Sequence, residues 1–193
     1  ASAPYSVSIG KTANASAASA IAIGRSTVAS GDHSVALGYK TNATGKSSTA
    51  IGRASTASGI YSTAMGYYTM ASGNYGTAMG FSTYATGSYS TSMGYLAVAS
   101  GNYAFAQGFS TDATGKYATA LGYQALAAGD ASSAMGFYSS APSFAEVAIG
   151  TYNSTYTPVS TTAMNDNDRA FVIGNGTAEK PNDAFSVFKN GHI

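Results

Sequence analysis

Glycine returns every fourteen residues along this 193-residue chain, and no other feature limits its fold as severely. The positions are Gly10, Gly24, Gly38, Gly52, Gly66, Gly80, Gly94, Gly108, Gly122, Gly136 and Gly150, with no insertion between them. A second glycine follows most of these by seven residues, at Gly31, Gly45, Gly59, Gly73, Gly87, Gly101, Gly115 and Gly129; Ala17 and Ser143 take its place near the two ends. Alanine stands five residues after each first-series glycine from Ala15 to Ala141. It also stands two residues before them from Ala22 to Ala148, with Ser8 and Ser92 as departures. A fixed period of this kind marks stacked repeats that bury a shared core.

Fourteen residues are too few for two helices and a turn, and no apolar spacing of i, i+3, i+4, i+7 persists. In "STAMG" (62–66) Thr63 and Met65 share one face and Ala64 takes the other. In "STYATG" (82–87) Thr83 and Ala85 share a face, as the two-residue side-chain period of a strand requires. Glycine corners, which permit positive φ, separate these segments. The expected fold is all-β: each repeat is one coil of a β-solenoid with two short strands, rising about 4.8 Å.

Alanine at two places per coil implies a thin interior, and a buried methyl contributes far less than the roughly 1.5–3 kcal/mol of a buried Leu or Ile. Larger residues stand immediately before the first-series glycines, at Ile9, Ile23, Leu37, Ile51, Met65, Met79, Met93, Leu121, Met135 and Ile149, with Gln107 the polar member. They point out of the roll and would leave a long apolar stripe in water. Association of copies around a symmetry axis removes that exposure. Ile23, Leu37, Ile51, Met65, Met79, Met93, Gln107, Leu121, Met135 and Ile149 are therefore expected at a subunit interface. Gln107 is either a polar layer within the axis, of the kind that fixes register, or a partly solvated position without consequence.

"HSVALGYKTNATGKSSTAIG" (33–52) resembles the head repeats of YadA-like trimeric autotransporter adhesins over about residues 6–150, in both glycine series, both alanine series and the period. The resemblance implies a left-handed parallel β-roll and a homotrimer. Methionine at Met65, Met79, Met93 and Met135, and frequent tyrosine at Tyr61, Tyr75, Tyr89, Tyr103 and Tyr117, depart from that pattern. No ligand preference is carried over. The Tyr61 column has the parity of the Met column and is assigned with it to the interface.

The sequence register breaks after Gly150. The polar, turn-rich stretch 151–168 reads as a linker or cap. Residues 169–193 read as a small β segment around Ala170-Phe171 and Ala184-Phe185, the start of a neck or next module. This last segment looks similar to the stretch before self-cleaving chaperone domains in phage tail fibres and bacterial surface fibres.

Charged residues make up 9% of the chain and the net charge is +1, so the basic footprint of a nucleic-acid-binding domain is missing. No apolar run is long enough to insert in a membrane, and the N-terminus lacks the pattern of a signal peptide. Signal and anchor are expected to have been removed, or the chain to be a fragment of a longer fibre. His33 and His192 lie too far apart in sequence for an ordinary metal site or a Ser-His-Asp triad. A three-fold ring of His33 is conceivable, but this residue occupies the column of Tyr61. The "NDND" run (165–168) reads as a turn first and a calcium loop second, because the glycine and distal Glu of an EF-hand are missing. No enzyme activity, metal or cofactor is expected.

The positions two and four after each first-series glycine vary and should face solvent. Among them Tyr68, Met70, Tyr84, Leu96, Val98, Leu126 and Tyr138 are the ligand-facing candidates. Exposed aromatics and aliphatics on a constant frame suit a binding surface, although they would serve equally to cover the core or pack against a neighbouring subunit. The leading expectation is a bacterial cell-surface adhesin head, anchored in the outer membrane, that binds a protein, glycan or surface outside the cell. A segment of a phage tail fibre in a virion is the alternative, and an ice-binding solenoid using Thr27, Thr41, Thr69 and Thr83 is the third; those threonines share the parity of the alanines and should point inward or sideways.

Overall fold

The computed structural model describes all residues, 1–193, in two compact units, Ala1–Leu96 and Ala97–Ile193. Each unit is a parallel β-solenoid of coils that combine one five-residue and one two-residue strand; Thr63–Tyr67 and Met70–Ala71 form a typical pair. Within each unit the long strands up to Val147–Thr151 pair in parallel with the one fourteen residues on. Thr77, Ala78, Met79, Gly80 and Phe81 lie beside Thr91, Ser92, Met93, Gly94 and Tyr95. Short strands stack likewise, Met70 beside Tyr84 and Ala71 beside Ala85. Stacking in constant register places chemically equal residues in columns, which is why a sequence period becomes a surface pattern.

The interior matches the expectation from alternation. Both alanine columns are fully buried from Ala15 to Ala148. Two hydroxyl columns complete it: Thr27, Thr41, Thr69, Thr83 and Thr111 on one side, Ser34, Ser48, Ser62, Ser90 and Ser132 on the other, all 0–1% exposed. Ser62 and Ser90 donate to the carbonyls of Gly59 and Gly87. The hydroxyls of Thr27, Ser34, Thr41, Ser48, Thr69, Thr83, Thr111, Ser132 and Ser139 have no hydrogen-bond partner, and each such group costs about 1–3 kcal/mol. The core is thus built of methyls and of hydroxyls many of which are unpaired, which makes the roll poorer still in stabilisation than alanine alone suggests.

The glycines act differently from the corner role expected of them. Gly66 lies within the strand Thr63–Tyr67 at φ +132°, and a Cβ there would stand 2.0 Å from the carbonyl oxygen of Gly80 in the next coil. Gly59 sits in the turn without a positive φ, and its Cβ would stand 2.1 Å from the Gly73 carbonyl. Close approach of successive coils therefore demands both series. The left-handed corners are held by other residues, such as Tyr61 at φ 56° and Tyr68 at φ 55°. Their amides donate to the carbonyls of Lys46 and Arg53 in the preceding coil, so hydrogen bonding offsets a backbone cost of about 1–2 kcal/mol each.

The last coil changes three inward positions together. Ser143 replaces a second-series glycine, Glu146 replaces the Ser/Ala column and Asn153 replaces the Thr column. The strand Arg169–Asn175 pairs in parallel with Val147–Thr151, Gly174 beside Gly150 and Val172 beside Ala148, and Asp183–Phe188 then pairs antiparallel to it. Structural register thus resumes at Gly174 after a longer connection. Arg169, 3% exposed, reaches Glu146 at 2.9 Å and Asp183 at 3.1 Å and lies over the Tyr156 ring at 4.3 Å. Glu146, fully buried, also accepts from the Ser143 amide at 3.0 Å and the Tyr156 hydroxyl at 3.1 Å. Burial pushes the Tyr156 hydroxyl above its usual value. It pulls the Lys189 ammonium below its own, with Asp168 and Glu146 opposing that shift. This ionic cluster, in which the Arg169 Nη2 alone is left without a partner, fills the end of the coil interior where another coil's methyls would lie.

Candidate functional site

The outward face of the long strands carries three parallel columns. In the unit Ala1–Leu96 these are Thr49, Thr63, Thr77 and Thr91; Ile23, Leu37, Ile51, Met65, Met79 and Met93; and Arg25, Tyr39, Arg53, Tyr67, Phe81 and Tyr95. In the unit Ala97–Ile193 the middle column is Gln107, Leu121, Met135 and Ile149, beside Phe109, Tyr123 and Phe137. Ile23 and Met135 are 37% exposed, Gln107 is exposed, and the other members are half-buried. The proposed interface residues therefore form a continuous apolar line within each unit, interrupted at Gln107, whose strand neighbour is Leu121.

The third column went unnoticed in the sequence. Its rings stack at the coil spacing: Tyr67 on Phe81 at 5.0 Å and Phe81 on Tyr95 at 4.9 Å, then Phe109 on Tyr123 and Tyr123 on Phe137, both at 4.7 Å. Position one after each first-series glycine was the signal that could have revealed it, as it reads Tyr67, Phe81, Tyr95, Phe109, Tyr123 and Phe137 without a break. Towards the N-terminus guanidinium groups enter the same stack, with Arg53 5.6 Å from the Tyr39 ring and 5.1 Å from Tyr67.

A second aromatic ladder, Tyr61 on Tyr75 at 5.2 Å and Tyr75 on Tyr89 at 4.6 Å, stands on the corner between coils. Strand parity does not carry through the left-handed residue Tyr61, so parity with the Met column gives no reason to join this ladder to the long-strand face. His33, at φ 59°, occupies the same column.

The ligand-facing candidates divide between two places. Tyr68, Leu96 and Tyr138 occupy the left-handed corner after the long strand, where Tyr68 packs edge-on against Tyr67 at 4.5 Å and Tyr138 stacks on Tyr152 at 4.5 Å. Met70 and Tyr84 are adjacent on the outer face of the short-strand sheet of the first unit. Val98 and Leu126 lie on that of the second, with Asp112 between them. Burial among these neighbours raises the Asp112 carboxyl above its ordinary value. The exposed members are Tyr68 at 51%, Leu96 at 40% and Leu126 at 37%.

The remaining candidates are structural. Asp168 is fully buried and accepts from the amides of Val159 and Ser160 at 2.7 and 2.9 Å, and the Asn165 side chain accepts from the Asn167 amide. The side-chain oxygens of Asp168 and Asn165 are thus engaged in shaping the loop. No three His, Cys, Asp or Glu side chains gather where they could hold a metal ion. Thr27, Thr41, Thr69 and Thr83 are buried, which removes the threonine ladder that an ice-binding face would have used.

A model of the YadA head domain repeat, two copies long, matches the chain at residues 1–27, 15–41, 29–55, 43–69, 57–83, 71–97, 85–110 and 113–139. Comparison with curated proteins gives no match. The successive matches advance by fourteen residues over most of their course, the period by which the strands, glycines and inward alanines stack. With these matches across most of its length and parallel coils of that size, the chain belongs to the YadA head-repeat family.

Proposed function

We propose that residues 1–150 are the head of a homotrimeric adhesin displayed outside a bacterial cell, closed by 151–168 and 169–193 and binding its target through many weak contacts. The observation that carries the reading is the long-strand face. A half-exposed Ile/Leu/Met column runs between a threonine column and an aromatic column, above an interior of methyls and unpartnered hydroxyls. Placing Ile23, Leu37, Ile51, Met65, Met79, Met93, Gln107, Leu121, Met135 and Ile149 around a three-fold axis removes this apolar line from water and supplies the core that each roll lacks. Gln107 then forms one polar layer among apolar ones.

The corner and short-strand faces remain outside such a trimer. Tyr68, Leu96 and Tyr138 at the corner, with Met70, Tyr84, Val98 and Leu126 on the short-strand sheet, form the ligand-facing surface in three copies. Weak sites presented in threes gain avidity without new contacts. The target is a macromolecule or surface outside the cell, protein or glycan.

Beads coated with the protein, driven by flow over matrix-coated and cell-coated surfaces, test this reading. Retention above that of albumin-coated beads is expected, and it should fall for a Met70→Asp/Leu126→Asp variant that keeps the wild-type mass. Retention equal to albumin, or unchanged in that variant, would contradict it.

A further inference from the structure

The charges of this chain are unevenly placed. In the unit Ala1–Leu96 the charged side chains are Lys11, Arg25, Lys40, Lys46 and Arg53 against the single acid Asp32. All five cations are exposed, and the ion pairs of the protein, both made by Arg169, involve none of them. Three converge on one aromatic ring: Arg25 lies 5.5 Å, Arg53 5.6 Å and Lys40 5.4 Å from the centroid of Tyr39. Like charges gathered in this way repel one another. Ring contacts of this kind orient the cations and offset part of the repulsion, by about 0.5–1 kcal/mol each at an exposed site. No carboxylate supplies the rest.

The arrangement has a direction. Lys11, Arg25 and Arg53 belong to one column, with Tyr39 between the two arginines and Lys40 beside it. At about 4.8 Å per coil, Arg25 and Arg53 stand roughly 10 Å apart along the column. The row extends over roughly 14 Å from Lys11 to Arg53 by the same spacing. A line of cations matches a linear chain bearing anionic groups at intervals, whereas a single phosphate would meet only one guanidinium. Guanidinium groups, with their planar forks of donors, bind carboxylate and sulfate oxygens two at a time.

We propose that this row, centred on Tyr39, binds an acidic polysaccharide through its sulfate or carboxylate groups. The row stands at the corner edge of the long-strand face, in the column next to the Ile/Leu/Met line, and includes none of the ligand-facing residues above. It rests on the adhesive reading for its setting only.

The test uses the full chain, with heparin as the sulfated polysaccharide and neutral dextran as its control. Titration at low salt should show binding to heparin and none to dextran, weakening steeply as salt rises towards the range where the screening length shrinks to a few ångströms. Arg25→Gln/Arg53→Gln should weaken heparin binding about a hundredfold, tenfold for each charged hydrogen-bonding group. Lys180→Gln, in the other unit, should leave it unchanged. The proposal is overturned if wild-type protein does not bind heparin, if the double variant binds it equally well, or if vesicles of anionic lipid or duplex DNA bind more tightly than heparin. Sedimentation of the same variants keeps this outcome separate from the trimer: a trimer that ignores heparin defeats the site alone, and a heparin-binding monomer defeats the trimer alone.

Discussion

Replacing Gly66 with alanine should be among the most damaging single-methyl changes this chain can suffer, and two other glycines divide the damage into its parts. At Gly191 φ is +86° with nothing within 4 Å of a built Cβ, so Gly191→Ala measures backbone strain alone. A position so close to the C-terminus relaxes, and about 1 kcal/mol is expected. At Gly59 φ lies outside the positive range but the Cβ meets the Gly73 carbonyl oxygen at 2.1 Å. The obstructing atom is backbone, so no rotamer relieves it, and overpacking of about 2–3 kcal/mol follows. Gly66 combines both, φ +132° and a Cβ 2.0 Å from the Gly80 oxygen, which sums to about 4 kcal/mol. That is a large part of a domain's stability of about 5–15 kcal/mol. Urea unfolding followed by far-ultraviolet circular dichroism, at one fixed protein concentration because association adds stability, should rank the variants Gly191→Ala, Gly59→Ala, Gly66→Ala in order of increasing loss. A Gly66→Ala protein within 1 kcal/mol of Gly191→Ala would refute the close-approach explanation of the glycine period.

Three further outcomes follow from the interior and the end of the roll. Arg169→Met should cost about 3–5 kcal/mol in urea unfolding, because it leaves the Glu146 carboxylate buried without its cation; adding Glu146→Gln should restore part of the loss, and a strictly additive double variant would show that the pair is not coupled. Thr83→Val should stabilise by about 1 kcal/mol by removing a buried hydroxyl that has no partner, while a loss of stability would reveal an acceptor for it. The raised Asp112 carboxyl means that the folded state binds a proton more readily than the unfolded chain, so its contribution is present below the ordinary carboxyl value of 3.8 and is lost as pH rises through the higher folded value. Asp112→Asn should accordingly be more stable than wild type at neutral pH and lose that advantage below about pH 4; an advantage that persists there would contradict desolvation as the cause.

The coil, its two strands and its inward alanines were legible in the sequence because strict stacking makes every coil meet the same surroundings, so the alternation at Thr63, Ala64 and Met65 repeats what the fold requires. Thr83 was legible as inward for the same reason. Parity failed at Tyr61, since a left-handed corner resets the side-chain alternation that a strand maintains. The aromatic column was obscured because Lys11, Arg25 and Arg53 share it, and a column of mixed charge and rings does not read as one apolar stripe. The ionic end was hidden more deeply. Arg169 meets Glu146 across 23 residues, outside any multiple of the period, and only the local signs at Ser143, Glu146 and Asn153 marked that coil as different from the rest.

The central claim is that the Ile/Leu/Met line of the long-strand face is closed by two further copies of the chain. Sedimentation equilibrium of the protein at micromolar concentration tests it most directly. A trimer predicts a mass of about 58 kDa, three times that of the 19.3 kDa chain, and Met79→Asp, which would place three carboxylates around the axis, should shift it towards the monomer. A stable wild-type species of 19.3 kDa would contradict the claim and leave the Ile/Leu/Met line facing water.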